Sequence, residues 1–424
     1  MRIKISNIGK IKEADVAING ITVIAGENNT GKSTVGKALY AIFNSFVDVA
    51  KKVEEERAES IIRELFVLIR ETNDSFMPFI KLDINSLAAE LNAMRNEIDI
   101  NKLTFVLNNK LDLKIDNTKS NDKIKAAIDN IMRILKVEDK IYLKTCIQKN
   151  FSIEFNQQIN NILEDHNGCI DLLIKNTDSK VTFVENNVFL VNNEVDTFSE
   201  AIYLDDPFIL DNKPKSDFLP NIFTQTYYYG HKEKLVELIY SQTEKNNLVD
   251  KIVTEERLKK IIDKLHIACK GNVFFKNNND LMYQQDNMKT AFKVANLSTG
   301  LKTFVILQTL LLSGAIKDGS LIILDEPEIH LHPEWQLLFA ELIVMLQKEF
   351  NLHILLNTHS PYFLNAIEVF SEKYAIGDKC EYYLAYNKQD ESYVKCVTGN
   401  VEDVYAKLAR PLQRLENLRY ADDE

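Results

Sequence analysis

A phosphate-binding loop near the N-terminus and two groups of polar residues far downstream are the parts of this 424-residue sequence that can do chemistry. Gly26 to Ser33 reads Gly-Glu-Asn-Asn-Thr-Gly-Lys-Ser. In such a loop the glycines let main-chain N–H groups face phosphate oxygens, the lysine reaches the β- and γ-phosphates, and the serine hydroxyl ligates Mg²⁺. The sequence therefore predicts that ATP and Mg²⁺ bind through Gly26, Asn28, Asn29, Thr30, Gly31, Lys32, Ser33 and Thr34.

The segments on either side of the loop indicate how it is held. Ile21 to Ala25 is apolar and partly β-branched, which is typical of a buried strand. A chance match in a glycine-containing turn is the alternative interpretation, but a strand before and a helix after the loop argue against it. The helix is indicated by apolar residues at helical spacing, which would place bound phosphates at its N-terminus: Val35, Leu39, Ile42 and Phe46.

A pair of acids follows a second apolar run. Leu321 to Leu324 is apolar on both faces, as expected for a central parallel strand, and it ends in Asp325 and Glu326. Open α/β sheets bind their ligands at this end of the strands. We expect Asp325 to hold Mg²⁺, directly or through water, and Glu326 to orient and deprotonate the attacking water. Two solvated acids after a strand are the alternative, which the following Pro327 to Pro333 disfavours.

Two further polar positions complete the predicted site. Ser298 precedes an apolar helical stretch, so it is either a plain helix cap or, with Gly300, a donor to a γ-phosphate. His359 follows the apolar run His353 to Asn357, and a lone histidine is most often structural. Because this run is predicted to lie beside the strand that carries the acids, we interpret His359 as a γ-phosphate sensor that acts with Lys32 and Glu326.

Taken in this order, the loop, the motif Leu297 to Gly300, the acid pair and His359 resemble the ATP-binding-cassette (ABC) ATPases of the SMC/RecF-like branch. Three predicted short strands within Met1–Ile24 also resemble that branch. The run Asp325 to Pro333, Asp-Glu-Pro-Glu-Ile-His-Leu-His-Pro, is similar to the form found in OLD-family nucleases and their relatives in bacterial antiphage systems.

The resemblance implies an α/β fold, that of a P-loop NTPase with an ABC-type head, in which a mixed central sheet is joined to an antiparallel N-terminal sheet. It also implies that two heads meet face to face, with ATP between the loop of one and Ser298 and Gly300 of the other. This superfamily usually has a glutamine between the loop and the signature motif. Gln225 and Gln242 are candidates without a convincing context, so this role stays unassigned.

The spacing of the motifs predicts an insertion, because the sheet connections between Lys32 and Ser298 need far fewer residues. The inserted segment is mostly helical by pattern and never sustains heptads, which favours a compact subdomain over a coiled-coil arm. We therefore expect a discontinuous head at 1–47 and 168–424 and a helical insertion at 48–167. Its predicted helical stretches are Val53–Ile69, Ile84–Ile98, Ile124–Leu135 and, with interruptions, Glu138–Glu164.

The rest of the head is predicted to be largely β-structure, with a helix at its end. An antiparallel sheet of the head is expected at Ile170–Ile174, Val181–Val184 and Val188–Val191, and strands that feed the signature helix at Val273–Phe275, Leu281–Tyr283 and Phe292–Val294. Two strands, Cys380–Tyr386 and Tyr393–Val397, and a helix over Asp403–Leu418 are expected after His359.

Composition and charge limit the possible partners. The chain is 45% hydrophobic and 27% charged, without a signal peptide or an apolar run long enough to span a bilayer, so we expect a cytoplasmic protein with no membrane partner. Five scattered cysteines indicate reduced thiols. A net charge of −11 argues against indiscriminate nucleic-acid binding. Lys251 to Lys270 and Tyr227 to Tyr229 are possible DNA contacts, but a solvated helical face and lobe packing are the more ordinary interpretations.

Two functions are compatible with this sequence. The first is an ATP-hydrolysing switch that dimerises around ATP, as a homodimer or a higher multiple, and regulates a separate effector, a nuclease, in bacterial antiphage defence; the ATPase subunits of Septu-type systems are similar. The alternative is a RecF/SMC-like ATPase that binds DNA in repair or chromosome maintenance. A transporter subunit fits less well because the insertion is too large. The sequence shows neither a Toprim Asp-x-Asp cluster nor an HNH constellation, so a nuclease activity would come from another chain.

Overall fold

The computed structural model of the protein describes residues 1–72, 84–111, 115, 121–163, 165–195, 197, 199–212, 230–240, 248–276 and 280–420, with backbone only at 248–256, 412 and 420. The chain divides into two compact units. Within the described residues, the first comprises 1–47, 148–212 and 230–420, and the second comprises 48–147. Residues 148–167, which the sequence analysis placed in the insertion, fall in the first unit.

The first unit is built on an eleven-stranded mixed sheet, counted within the described residues. Its order is β6-β5-β4-β1-β2-β14-β13-β3-β12-β11-β7, and a separate three-stranded antiparallel sheet has the order β10-β9-β8. The strands are β1 (Arg2–Ile8), β2 (Ile11–Ala17), β3 (Ile21–Gly26), β4 (Gly168–Ile174), β5 (Thr177–Val184), β6 (Asn187–Val191), β7 (Ile202–Leu204), β8 (Gly271–Lys276), β9 (Asp280–Gln285), β10 (Phe292–Lys293), β11 (Leu321–Asp325), β12 (His353–Thr358), β13 (Cys380–Lys388) and β14 (Glu391–Cys396).

The helices of the described residues are distributed over the two units. They are α1 (Lys32–Ser45), α2 (Val49–Thr72), α3 (Ile84–Ala93), α4 (Ile100–Leu111), α5 (Asp122–Lys136), α6 (Asp139–Glu154), α7 (His231–Tyr240), α8 (Leu248–Leu265), α9 (Thr299–Leu312), α10 (Pro333–Phe350), α11 (Pro361–Lys373) and α12 (Glu402–Tyr420). Short 3₁₀ turns cover Pro207–Asp211, Val294–Asn296 and Gly377–Lys379. Among the described residues, no helix is both long enough and apolar enough to cross a membrane.

The parallel half of the large sheet brings the polar ends of three strands together. β3 and β11 are buried along their whole length, as expected for strands covered on both faces. β12 lies between them and pairs in parallel with both, with Asp325 opposite Asn357 and Ala25 opposite Thr358. The carboxyl ends of the three strands therefore meet at one edge of the sheet, which is where open α/β sheets place ligands.

The predicted α/β fold of a P-loop NTPase is confirmed, with the mixed central sheet continuing into antiparallel strands. The strands expected after the insertion are present, as are the two strands and the helix expected after His359. Three predictions of extent were wrong. The helical stretch expected over Glu138–Glu164 ends at Glu154, the last residue of α6, and a turn follows at residues 155–157. The helix expected over Ile84–Ile98 ends at Ala93 and is followed by a turn, and Val294 lies in a 3₁₀ turn instead of the last strand of the small sheet.

The second unit is helical and has its own core. Apolar side chains from α2, α3, α4 and α5 form one buried cluster, which includes Leu65, Leu87, Leu107 and Ile131. The helix α4 was not predicted.

Candidate functional site

The loop between β3 and α1 has the backbone of a phosphate cradle. Gly31 has φ 83°, a left-handed conformation that favours glycine, and a Cβ atom there would lie 2.4 Å from Cδ1 of Ile11. A Cβ atom on Gly26 would lie 2.4 Å from the main-chain oxygen of Ala385. Both glycines are therefore required by the fold, whatever the loop binds. Asn28, Asn29 and Ser33 are exposed, Thr34 is half-buried, and the hydroxyl of the buried Thr30 donates to the main-chain oxygen of Glu27 at 2.8 Å.

Lys32 is the buried cation of this loop, with only 4% of its side chain exposed. Its Nζ donates to the main-chain oxygens of Gly26 at 3.1 Å and Glu27 at 2.9 Å and lies 3.4 Å from Oε1 of Glu326. Since Lys32 is also the first residue of α1, the free N–H groups of the first helical turn surround the same point. A negatively charged group at this position would meet both the ammonium and the N–H groups.

Asp325 is fixed from two sides at the end of β11. The hydroxyl of Tyr203 donates to its Oδ2 at 2.9 Å, and Nδ2 of Asn357 donates to its Oδ1 at 2.9 Å. The same Nδ2 of Asn357 also donates to the main-chain oxygen of Lys32 at 3.1 Å, so Asn357 joins the loop to the acid. Burial, followed by the charge of Asp325, raises the pKa of Tyr203 well above its ordinary value, which keeps the hydroxyl protonated as a donor.

Glu326 has the geometry expected of a strained functional residue. Its φ is 51°, a left-handed conformation that is uncommon for residues with a side chain, and its N–H donates to the main-chain oxygen of Asn357 at 2.9 Å. Its Oε1 lies 3.4 Å from Nζ of Lys32 and 3.5 Å from Nδ1 of His359. The structure therefore brings together the three residues that the sequence predicted to be catalytic.

A buried carboxyl group, Glu328, holds the end of β12 and was not singled out in the sequence. The hydroxyl of Thr358 and the N–H of His359, the latter at 3.3 Å, donate to its Oε1, and 2% of the residue is exposed. Burial raises the pKa of Glu328 above its ordinary value of 4.5, although these hydrogen bonds oppose the shift. Glu328 therefore positions the backbone that carries His359.

The raised pKa of Glu328 predicts how its removal affects stability. The folded protein holds this proton more tightly than the unfolded chain does, so the native protein loses stability as pH rises from the ordinary value of 4.5 through the raised pKa. Glu328→Gln keeps an acceptor oxygen but carries no charge, so it lacks this loss. We expect the difference in melting temperature, variant minus native, to increase with pH above 4.5.

The comparison is made by thermal unfolding at several pH values. Glu334→Gln is the control, since it changes an exposed glutamate in the first turn of α10. Melting curves of Glu328→Gln that run parallel to those of the native protein at every pH would contradict the prediction.

The signature residues lie at the start of α9. Ser298 is exposed and occupies the N-cap position, but its side chain makes no capping hydrogen bond. Gly300 is buried, and a Cβ atom there would lie 3.0 Å from the main-chain oxygen of His330 and 3.3 Å from the ring of Trp335. Among the described residues, no recorded hydrogen bond or ion pair joins Ser298 or Gly300 to the phosphate loop of the same chain. Within the described part of the chain, the Ser298 hydroxyl therefore lies at a helix N-terminus without capping that helix, whereas close packing explains Gly300.

A cleft of about 360 Å³ opens beside the acid pair. Its walls carry Asp205, Asp206 and Glu326, together with the ring of Phe208 and His330. Asp205 and Asp206 follow β7, the edge strand that pairs with β11. The two glutamines considered for the unassigned role, Gln225 and Gln242, lie outside the described residues.

The donor groups at the site fit a magnesium ion bound together with a nucleotide. Mg²⁺ prefers hydroxyl, carboxylate and phosphate oxygens and is usually held by one or two protein groups plus substrate phosphates. The exposed hydroxyl of Ser33 and the carboxylate of Asp325 supply such oxygens next to the cradle. Because both oxygens of Asp325 already accept a hydrogen bond, we expect this residue to hold the ion through a water molecule.

Three of the residues that build this site, Tyr203, Asn357 and Glu328, were not predicted from the sequence. Asn357 and Glu328 had a detectable signal, since each is a polar residue next to an assigned motif. Tyr203 had none, because it lies on a three-residue edge strand more than a hundred residues from its partner.

The fold and this site define the class of the protein. A phosphate loop between a buried strand and a helix, with two acids on a parallel strand of the same sheet, is the arrangement of a P-loop ATPase. Residues 157–365 match the family described as "AAA domain, putative AbiEii toxin, Type IV TA system".

A known relative is similar over most of the chain. Endonuclease GajA from Bacillus cereus (strain HuB5-5) is 22% identical over 398 residues, which cover 84% of this chain and 54% of that protein. The chain thus spans about half the length of this relative. These matches agree with the motifs: the chain is similar to ATPases of the SMC/RecF/OLD-like branch.

Solved structures with a similar course of the chain include SMC heads. The SMC head domain from Thermotoga maritima is 10% identical with a TM-score of 0.39, covering 93% of this chain and 98% of that one. An Smc head with an extended coiled coil, bound to the C-terminal domain of ScpA derived from Pyrococcus furiosus, is 11% identical with a TM-score of 0.42, covering 99% and 98%. Because both TM-scores are below 0.5, the fold is assigned from the sheet order and the geometry of the site.

Proposed function

We propose that the protein binds ATP with Mg²⁺ and hydrolyses it. The observation that carries this proposal is the convergence of Lys32, Asp325, Glu326 and His359 around one sheet edge, within hydrogen-bonding or ion-pairing distance of a common network. A steady-state assay of phosphate release from ATP, with and without Mg²⁺, tests it.

Each residue has a role that follows from its surroundings. Lys32 and the N–H groups at the start of α1 bind the β- and γ-phosphates, and Ser33 and Asp325 hold the metal. A bound Mg²⁺ neutralises charge on the phosphate oxygens. Glu326, at the end of its strained turn, orients and deprotonates the attacking water, while His359 contacts the γ-phosphate. Asn357 keeps the loop and the acids at a fixed separation, because its amide group donates to both.

We further propose that two copies dimerise around ATP, with Ser298 of one copy completing the site of the other. Support comes from the exposed Ser298 hydroxyl, which caps nothing in its own chain. Ser298→Arg is expected to prevent ATP-dependent dimerisation because the long side chain occupies the contact, whereas nucleotide binding to the monomer stays unchanged. Light scattering in the presence of ATP measures the first effect, and binding of a fluorescent ATP analogue measures the second.

The control for this substitution adds the same side chain elsewhere. Thr290→Arg lies at another exposed position and should leave the ATP-dependent change in mass unaltered. Persistence of ATP-dependent dimers in Ser298→Arg would contradict the shared site, even if hydrolysis were slower.

The proposed role of this switch is to regulate a nuclease in bacterial antiphage defence. The similarity to an endonuclease, and the match to the family described as "AAA domain, putative AbiEii toxin, Type IV TA system", support such a role. The decisive experiment is purification of the protein with its genomic neighbours, followed by DNA cleavage assays with and without ATP. A regulatory role would be contradicted if DNA cleavage were the same with and without ATP and the same for the native protein and Glu326→Gln.

The alternative is an ATPase that binds DNA directly, and the basic helix α8 gives it little support. In α8, Arg257 donates to both Asp318 and Glu349, and Lys264 pairs with the buried Glu341. These two cations are therefore engaged within the protein. Tight DNA binding by the isolated protein, weakening steeply with salt, would favour the alternative. Tyr227 to Tyr229 lie outside the described residues.

A further inference from the structure

The orientation of Asp325 depends on the hydroxyl group of Tyr203, which is not part of any of the sequence motifs. Tyr203 is 1% exposed, and its hydroxyl donates to Oδ2 of Asp325 at 2.9 Å. Since Asn357 occupies Oδ1, the two donors together fix the plane of the carboxylate. A carboxylate held in this way keeps a fixed orientation and one open acceptor site on each oxygen, and a fixed orientation favours an ion with strict octahedral geometry such as Mg²⁺.

Room for this hydroxyl is made by a glycine within α1. A Cβ atom on Gly36 would lie 3.1 Å from the Tyr203 hydroxyl and 3.2 Å from Cγ2 of Ile323. Glycine inside a helix is less favourable than alanine, so close packing is the physical reason for it here. The helix that begins at the phosphate loop therefore has a notch facing the Tyr203 hydroxyl.

The ring of Tyr203 is held from its other side by a buried ion cluster. Its centroid lies 4.5 Å from that of His231, the first residue of α7. Nδ1 of His231 is 2.6 Å from Oε2 of Glu154, and Nε2 is 3.1 Å from Oδ2 of Asp205. Burial lowers the pKa of His231, but the hydrogen bonds and charges of the two acids outweigh burial and raise it to about 9, so both ring nitrogens donate at neutral pH.

The geometry points to Tyr203 as a positioning residue for the metal: its hydroxyl, seated in the Gly36 notch and backed by His231, orients Asp325 toward Mg²⁺. This inference rests on the proposed function. It assigns to the edge strand β7 a part in the ATP site that is distinct from nucleotide binding itself. Loss of the hydroxyl should weaken the binding of Mg²⁺ and leave the contacts of Lys32 with the phosphates in place.

Tyr203→Phe tests the inference because it removes one oxygen and keeps the ring. The binding of a fluorescent ATP analogue is titrated with and without Mg²⁺, and the Mg²⁺ concentration that gives half-maximal hydrolysis is measured separately. We expect unchanged affinity without Mg²⁺ and a half-saturating Mg²⁺ concentration about 10-fold higher, the lower end of the range for partners of metal ligands, because Asp325 holds the ion through a water molecule. An electron paramagnetic resonance titration with Mn²⁺ in the presence of ATP should show the same weakening.

Tyr383→Phe is the matched control. Tyr383 is a buried tyrosine of the same sheet, and its hydroxyl accepts from the N–H of Ala17 at 2.9 Å. Both variants are expected to lose some thermal stability, but only Tyr203→Phe should change the requirement for metal. A purely structural role of Tyr203 predicts equal behaviour of the two variants and would overturn the inference.

Gly36→Ala gives a second variant in case Tyr203→Phe fails to fold. The added methyl group displaces the Tyr203 hydroxyl without removing it, so a higher Mg²⁺ requirement is again expected. An unchanged Mg²⁺ dependence in either folded variant overturns the assignment while leaving the proposed function intact. If the native protein shows neither Mg²⁺-dependent nucleotide binding nor hydrolysis, the proposed function fails regardless of how the variants behave.

Discussion

Glu326→Gln is expected to lower the rate of ATP hydrolysis by about 10²- to 10⁴-fold, the contribution of a positioned general base. The amide has the same shape and can occupy the same strained backbone, but it cannot accept a proton from water. Nucleotide affinity should be retained or increased, because the substitution removes a negative charge 3.4 Å from Nζ of Lys32 and close to the bound phosphates. The measurements are single-turnover hydrolysis and equilibrium binding of ATP.

A second consequence follows if two copies share the nucleotide. With hydrolysis blocked, ATP should hold Glu326→Gln in the dimeric state for much longer than the native protein, which size-exclusion chromatography with light scattering would detect. Glu334→Gln is the control, since it removes an exposed carboxylate outside the network. Native turnover by Glu326→Gln would remove this residue from the mechanism, and His359 would then be the next candidate to examine.

Lys32→Ala is expected to weaken ATP binding by roughly 30- to several-thousand-fold, which corresponds to the loss of about 2–5 kcal/mol from a buried charge pair. The ammonium is 4% exposed and is surrounded by the oxygens of Gly26, Glu27 and Glu326. Without it, the phosphates would lie beside the carboxylate of Glu326 with no compensating charge. Fluorescence titration with an ATP analogue measures the effect.

The same helix provides a control for this substitution. Lys37 lies in α1 and is half-buried, so Lys37→Ala removes an equal charge from the helix at a position away from the loop. Its ATP affinity should stay within a few-fold of the native value. Because Lys32 also bridges two main-chain oxygens, melting temperatures must accompany the binding data. Unchanged ATP affinity in a folded Lys32→Ala protein would refute the assignment of the loop.

The loop and the buried strands were predictable because their signals are local. Gly26 to Ser33 is contiguous, and the runs that become β3 and β11 are apolar on both faces, a pattern that only covered strands need. His359 could be placed next to the acids because the run before it, His353 to Asn357, is also apolar and was expected to form the neighbouring strand. The boundaries were less well predicted, as the early end of α3 shows, since a polar turn interrupts a pattern that otherwise continues.

The Tyr203–Asp325–Asn357 arrangement could not be predicted, because it depends on which strands become neighbours. Tyr203 and Asp325 are 122 positions apart, and Asn357 is 325 positions from Lys32. Their contacts exist only after β7, β11, β12 and β3 have paired in parallel. Strand order is a property of the packed sheet. The three residues of β7 do not indicate that β11 will be its neighbour.

By itself, the sequence determined the chemical inventory: a cation and N–H groups for phosphate, two acids on a strand end, and a histidine on the next strand. These depend on residue types and short spacings, which can be read directly from the sequence. Only the tertiary structure decided the orientation of Asp325, the burial of Glu328 and the notch at Gly36. Orientation and burial result from contacts between segments distant in the chain, and those contacts form only when the sheet and its covering helices close around the core.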